Sequence, residues 1–243
     1  MVKIMKSKKI VILTGAGISA ESGIDTFRAA GGLWENHRIE DVATPEGFAK
    51  DPELVHRFYN LRRAALKTVE PNPAHIALAA LEAGLKKCGG QVTLITQNVD
   101  DLHERGGIKE IIHMHGILTS MLCGICEHRW EHLTDASPEM SCPKCYVKAA
   151  CRPDIVWFDE MPYAMHVIKE RISDCELFVS IGTSGAVYPA AGFVQMAKAL
   201  DKQTLELNLE RSQGSHFFDD SRLGPASTLV PQWVDEILSS VKA

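Results

Sequence analysis

Five short apolar runs, residues 10–13, 91–96, 111–116, 177–181 and 204–207, each pass straight into glycine or polar residues. No other feature of the chain constrains its fold as tightly. A strand that is apolar throughout is buried on both faces, and helix-periodic segments between the runs supply the cover. The alternation predicts an α/β protein built on a doubly wound, parallel, Rossmann-like sheet. Ligands of such sheets bind past the carboxyl ends of the strands, so the residues that follow each run are the first candidates for a site.

The first run ends in Gly15-Ala-Gly17. Two glycines let backbone N–H groups come close to a phosphate, and residues 19–22 are predicted to open a helix whose positive end faces that anion. A dinucleotide pyrophosphate fits there, although an ordinary strand-to-helix turn with no ligand accommodates the same glycines. The next glycine is Gly23, so the spacing departs from Gly-x-Gly-x-x-Gly, and the acidic ribose reader expected about 20 residues downstream is missing. Both departures argue against a nicotinamide dehydrogenase.

Residues 27–34, glycine-rich and aromatic, read as an irregular loop of the kind that folds over a ligand. Thr44-Pro45, Asp51-Pro52 and Asn72-Pro73 each pair a capping residue with a proline suited to a first helical turn. Helices are predicted over 52–67 and 74–85, the second ended by Gly89-Gly90, and a last one over 231–241 that packs through Val234, Ile237 and Leu238. Two segments break the alternation: 29–70, which is helical, and 117–152, which is cysteine-rich. We read them as insertions that together form a smaller domain. Residues 1–28, 71–116 and 153–243 are left for the nucleotide-binding domain, with a cleft between the two.

Cys123-x-x-Cys126 and Cys142-x-x-Cys145 are separated by fifteen residues, the spacing of two knuckles closing one tetrahedral Zn²⁺ site. Four thiolates leave no open position, so the zinc of such a ribbon is structural; four unrelated thiols are the alternative. Cys88, Cys151 and Cys175 fall outside the pattern and read as buried or free thiols. Seven cysteines is an odd number, and no export signal precedes the first strand, which predicts a reducing, cytoplasmic location. With 26 basic against 31 acidic residues there is no electrostatic reason to expect direct nucleic acid binding. No run approaches the roughly 20 apolar residues of a membrane helix, so no membrane partner is expected.

Taken in order, Gly15-Ala-Gly-Ile-Ser-Ala-Glu-Ser-Gly-Ile24, Phe27-Arg28, Gly31-Gly-Leu-Trp34, Thr96-Gln-Asn-Val-Asp100, His113-Met-His-Gly116, the paired Cys-x-x-Cys and Gly182-Thr-Ser184 resemble the sirtuins. These are NAD-dependent protein lysine deacylases, and the likeness is strongest to the bacterial CobB-type members. The resemblance runs from Val11 to Leu238 and rests on the ordered co-occurrence of the motifs. It implies that Gly15, Ala16, Gly17, Ile18, Ser19, Ala20 and Glu21 cradle the NAD pyrophosphate, with Phe27, Arg28 and Trp34 in the cofactor-binding loop. Gln97, Asn98, Val99 and Asp100 would hold the nicotinamide ribose and carboxamide. Gly182, Thr183, Ser184, Asn208, Leu209, Glu210 and Ala226 would meet the adenosine half. Cys123, Cys126, Cys142 and Cys145 would hold one structural Zn²⁺.

His115 is the expected general base, since imidazole titrates near neutrality and can accept a ribose hydroxyl proton. His113, two residues earlier, shares its face if the strand runs on, and reads as structural. The resemblance implies that the acyl-lysine carbonyl oxygen attacks the anomeric carbon of the nicotinamide ribose and expels nicotinamide. His115 then activates a ribose hydroxyl that attacks the imidate carbon, giving free lysine and O-acyl-ADP-ribose. Val156, Trp157 and Phe158 match the family stretch that pairs with an extended acyl-lysine peptide.

Tyr59 and Arg62 share a helix face. Spacing alone makes them a half-buried tyrosine and a solvated arginine, but the pair resembles the Tyr-x-x-Arg of sirtuins that remove acidic acyl groups, and guanidinium clasps carboxylate bidentately. Ala30 stands where many relatives have proline, leaving room for a longer acyl chain. Succinyl-lysine is therefore expected beside acetyl-lysine. Protein mono-ADP-ribosyl transfer and a non-catalytic, NAD-responsive zinc-ribbon binding module are the alternatives.

Overall fold

The computed structural model describes residues 8–24, 33–34 and 37–242, with backbone only for 33–34 and 242. The chain runs β1 (Lys9–Thr14), β2 (Leu33–Trp34), β3 (His37–Arg38), α1 (Ile39–Val42), α2 (Pro45–Lys50), α3 (Pro52–Leu66), α4 (Pro73–Lys87), β4 (Gln91–Thr96), α5 (Leu102–Arg105), β5 (Ile111–His113) and β6 (Gly116–Cys123). It continues with β7 (Arg129–Glu131), β8 (Cys151–Ile155), α6 (Met165–Asp174), β9 (Leu177–Ile181), α7 (Phe193–Ala199), β10 (Gln203–Asn208), β11 (Asp220–Leu223) and α8 (Ala226–Lys242).

Six strands form one parallel sheet in the order β11-β10-β9-β1-β4-β5. Numbered along the chain within that sheet, this is the doubly wound 3-2-1-4-5-6 order, with its reversal between β1 and β9. Alternation along β1 sorts its side chains between two cores. Ile10 and Ile12 meet Leu78, Leu81 and Leu85 of α4 with Trp233 and Ile237 of α8. Val11 and Leu13 belong with Ile168 and Ile172 of α6 and Phe193 and Val194 of α7. Each face of the sheet is thus dry, as the unbroken apolar runs require.

A third core joins α3, through Val55, Phe58 and Tyr59, to Leu118 of β6 and to Ile155 and Trp157 at the end of β8. The antiparallel sheet β7-β6-β8 carries a fourth, formed by Met121, Ala136 and the cysteines. Caps set the entry to the helical segment: Thr44 accepts from Gly47 N at 3.0 Å and Asp51 from Leu54 N at 2.9 Å, ahead of Pro45 and Pro52.

The structure corrects four expectations. Residues 19–22 open no regular helix: Ala16–Ile18 and Ala20–Ser22 are single 3₁₀ turns, and Gly23 at φ 92° ends the second. The run 111–116 is not one strand. It stops at His113, turns, and restarts in the other sheet at Gly116, whose φ is 80° and where an added Cβ would lie 2.0 Å from Asp154 O. A sixth strand, β11, is present at the sheet edge. The last helix begins at Ala226, not at Pro231: the proline forgoes one intrahelical bond, and burial of Val230, Trp233, Val234 and Ile237 against the sheet holds the helix through it.

Candidate active site

A cleft of about 750 Å³ opens past the carboxyl ends of β1, β4, β9 and β10 and is closed on its far side by α3 and the end of β8. Gly15 to Gly17, Ser19 to Glu21, Gln97 to Asp100, Gly182 to Ser184, Asn208 to Glu210 and Ala226 all line it, as do His115, Tyr59, Arg62 and Val156 to Phe158. Ile18 is the exception among the described cofactor candidates: its side chain is fully buried in the sheet core. Phe27, Arg28 and the side chain of Trp34 lie outside the described residues, as does Ala30.

The floor is the switch point itself. Gly15 N–H donates to Ile181 O at 3.0 Å and Gly17 N–H to Gly182 O at 2.9 Å. A Cβ on Gly17 would meet Gly182 Cα at 2.7 Å, so the two loops touch only because neither has a side chain there. Asn208 Nδ2 fastens the third loop to Thr183 O at 2.8 Å. Glu21 reaches the start of α8, accepting from Ser227 N at 3.0 Å.

Beneath the glycines lies a buried polar network that ties β1 to β4 and α4. Ser19 Oγ donates to Asp100 Oδ2 at 3.0 Å and accepts from Asn98 Nδ2 at 3.1 Å. His75 Nδ1 accepts from Asn72 N–H at 3.2 Å, so its Nε2 carries the proton that points to Ser19 Oγ at 3.4 Å. Burial holds His75 neutral by lowering its pKa to about 4, and burial raises Asp100 to about 6 against the bonds from Leu102 N and Ser19. Asn72 also donates to Ile18 O at 2.8 Å, so a helix cap doubles as a brace for the loop. His103 extends the network through Thr14 Oγ1 at 3.0 Å to Thr96.

His115 sits in the turn between β5 and β6. Its Nδ1 lies 3.1 Å from Gln97 O; a carbonyl only accepts, so Nδ1 carries the hydrogen and Nε2 keeps its lone pair. Burial lowers the imidazole pKa, outweighing the carbonyl bond, and keeps the ring neutral. His113 does not share its face: the strand has ended, and Nε2 is bound to Glu104 Oε1 at 2.5 Å.

The stretch after β8 is held from behind. Arg152 grips Glu160 with two bonds of 2.6 and 2.8 Å and lies over the Trp157 ring at 3.5 Å. Burial pushes the Glu160 carboxyl up, but Arg152 and the Trp157 N–H outweigh it and hold it below the ordinary range. Trp157 Nε1 donates to Tyr59 Oη at 2.9 Å, and both residues are buried, which pushes the phenol pKa up. The N–H groups of Val156, Trp157 and Phe158 are engaged by His115 O, Glu160 Oε2 and Ala43 O at 2.8–3.0 Å. Arg62, half-buried, stands 5.5 Å over the Phe58 ring.

Several residues of the site carry no strong sequence signal. Glu206, inside an apolar strand, is 1% exposed and accepts from Ser215 Oγ at 2.6 Å and Ser221 Oγ at 2.9 Å, anchoring the loop that brings Arg211 and Ser212 to the cleft. Asp159, on the rim, has φ 70° in the turn closed by Glu160 N and Trp157 O.

The four cysteines of the paired knuckles converge outside the cleft, with all their sulfurs within 4.8 Å of one another. Cys123–Cys145 and Cys126–Cys142 are each 3.7 Å apart, and a zinc tetrahedron with bonds of about 2.3 Å has sulfur–sulfur edges of about 3.8 Å. Both edges match that tetrahedron, and four convergent thiols are the donor set that Zn²⁺ takes.

The Sir2 family description matches residues 15–189 of this sequence. The chain belongs to the Sir2 family. It is 56% identical over 234 residues to an NAD-dependent protein deacylase of Vibrio parahaemolyticus, covering 96% of each chain. It is 51% identical over 241 residues to one of Escherichia coli K12, covering 98% of this chain and 85% of that protein. Among solved structures, a Sir2 homologue in complex with NAD superposes with a TM-score of 0.85 at 37% identity, over 97% of this chain and 91% of the other.

Proposed function

We propose that this Sir2-family chain removes acyl groups from protein lysine side chains, consuming NAD and yielding nicotinamide, O-acyl-ADP-ribose and free lysine. The observation that carries the reading is His115: a neutral ring on the cleft wall, its Nδ1 proton fixed on Gln97 O and its Nε2 ready to accept. NAD lies along the glycine floor, its pyrophosphate on Gly15 to Glu21, with Gln97 to Asp100 at its nicotinamide end and Asn208 to Glu210 at its adenosine end. The acyl-lysine enters from the side of Val156 to Phe158. Its carbonyl oxygen displaces nicotinamide; His115 then takes the proton of a ribose hydroxyl as that oxygen attacks the imidate carbon. Support for these substrates comes from relatives named NAD-dependent protein deacylase and from a Sir2 bound to acetylated peptide, with a TM-score of 0.78 at 27% identity.

Residues 29–70 and 117–152 together make the smaller domain of this reading, and one structural Zn²⁺ on Cys123, Cys126, Cys142 and Cys145 cross-links its ribbon. Because the N–H groups of 156–158 are occupied, a peptide strand pairing there draws on carbonyl oxygens. Among the described residues no helix is long and apolar enough to cross a membrane.

Succinyl-lysine is accepted beside acetyl-lysine: Arg62 clasps the acyl carboxylate, and Tyr59, oriented by Trp157 Nε1, backs it. Incubation with NAD and matched acetyl- and succinyl-lysine peptides tests the reading, with His115→Tyr as control. Both peptides should lose their acyl group and His115→Tyr should not act. Arg62→Met should lose succinyl activity selectively; an equal loss on both peptides, or none, removes the role given to Arg62.

A further inference from the structure

A fifth thiol stands against the four-cysteine cluster. Cys151 is paired with Cys123 across the antiparallel strands β6 and β8, which puts both side chains on one face of that sheet. The next pair along, Gly124 and Ala150, is hydrogen-bonded at 2.8 Å, and two residues the other way Pro153, which has no N–H, faces Met121. By this alternation Cys123 and Cys151 form a non-hydrogen-bonded pair, whose Cα atoms approach to about 4.5 Å. That separation is within the roughly 4.4–6.8 Å range of disulfides. Both thiols are buried in the same small core as Cys142 and Met121, whereas Cys126 and Cys145 reach the surface in part.

We propose that Cys151 is the resolving thiol of this cluster, and that oxidation by peroxide ends in a Cys123–Cys151 disulfide that dismantles the zinc site. The inference rests on the four-thiolate zinc reading and not on the deacylase activity. Peroxide meets the partly exposed Cys145: the thiolate attacks one oxygen, the O–O bond breaks, hydroxide leaves, and a sulfenic acid remains. The Cys123 thiolate, 3.7 Å away, attacks that sulfur, and the S–O bond breaks with loss of a second hydroxide. Cys151 then attacks Cys123, its proton going to one hydroxide, and Cys145 departs as thiolate. One peroxide is reduced to water and hydroxide, Cys123 and Cys151 are oxidised by one electron each, and three thiolates are left for the metal.

The test uses the zinc-loaded full chain titrated with hydrogen peroxide, followed by alkylation, digestion and mass spectrometry, with released zinc read by a chromogenic chelator. The expected result is a dominant Cys123–Cys151 bridge that rises in step with zinc release and disappears on treatment with dithiothreitol. In Cys151→Ala the bridges should be confined to the four knuckle cysteines, and Cys151→Val, closer to the thiol in volume, should repeat that pattern if alanine loosens the core. Recovery of alkylated Cys151 from oxidised, zinc-depleted wild-type protein overturns the proposal. So does zinc release accompanied by sulfinic acids and no bridge to Cys151.

Discussion

Replacing Gly17 with alanine probes the contact on which the nucleotide floor depends. Gly17 has no need of a left-handed backbone, so the cost is purely steric. The new Cβ would sit 2.7 Å from Gly182 Cα and 2.8 Å from Gly182 O, both main chain and unable to rotate away. Ordinary carbon contacts begin near 3.4 Å, so the loops after β1 and β9 must part by about 0.7 Å. Overpacking of this kind costs about 1–3 kcal/mol, which lowers Tm by roughly 2–12 °C in a domain of this size. A displacement approaching 1 Å beside reacting groups costs about 100-fold, so kcat/KM for NAD should fall between about 10- and 100-fold. Initial rates at varied NAD, thermal melts and a zinc assay separate the effects, since the cysteine cluster belongs to a different core and should keep its metal. An unchanged KM for NAD together with an unchanged Tm would refute the view that the two glycines set the floor.

Further consequences follow from the same geometry. Arg152→Lys removes the paired bonds to Glu160 and the stacking on Trp157, so KM for the peptide should rise several-fold while kcat with saturating peptide changes little; the reverse split would contradict the clamp. Because burial depresses the His115 pKa, the acid limb of the kcat–pH profile should have its midpoint below the ordinary imidazole value of 6.5, and a midpoint above it would contradict the assigned tautomer and environment. His56 and His75 are lowered by burial to about 4, and His103 lies well below 6.5, so unfolding takes up protons as pH falls from 6.5 towards 4, and stability is lost over that window. Asp100, raised to about 6, and Asp101, also raised by burial, oppose this, while the lowered His115 adds to it; urea midpoints equal at pH 7.5 and pH 5 would count against the balance. Asp159→Gly relieves a left-handed turn position and should raise stability by about 1 kcal/mol, read as a higher denaturant midpoint.

The strands of the main sheet were legible because a parallel sheet covered on both faces leaves continuous apolar runs, and helices α3 and α4 because Asp51 and Asn72 sit before prolines at true N-termini. The zinc cluster was legible because knuckle spacing is dictated by metal geometry. The rest is written in contacts between distant segments. Edge strand β11 is only half-buried, so Asp220 to Leu223 carry no apolar run. The break after His113 follows from a single glycine whose Cβ would strike Asp154 O. His75 and His103 occupy helices where nothing local marks them as buried, and Glu206 looks like a flaw in a strand until the serines it holds are brought to it by the fold. Pro231, inside α8, misplaces that helix's start because proline is so common at first turns.

The most direct measurement is where the acyl group goes. With NAD and an acetylated lysine peptide, nicotinamide, deacetylated peptide and O-acetyl-ADP-ribose should form in equal amounts, all abolished by His115→Tyr. Release of free acetate without nicotinamide, or of nicotinamide with the peptide still acetylated, would contradict the deacylase reading.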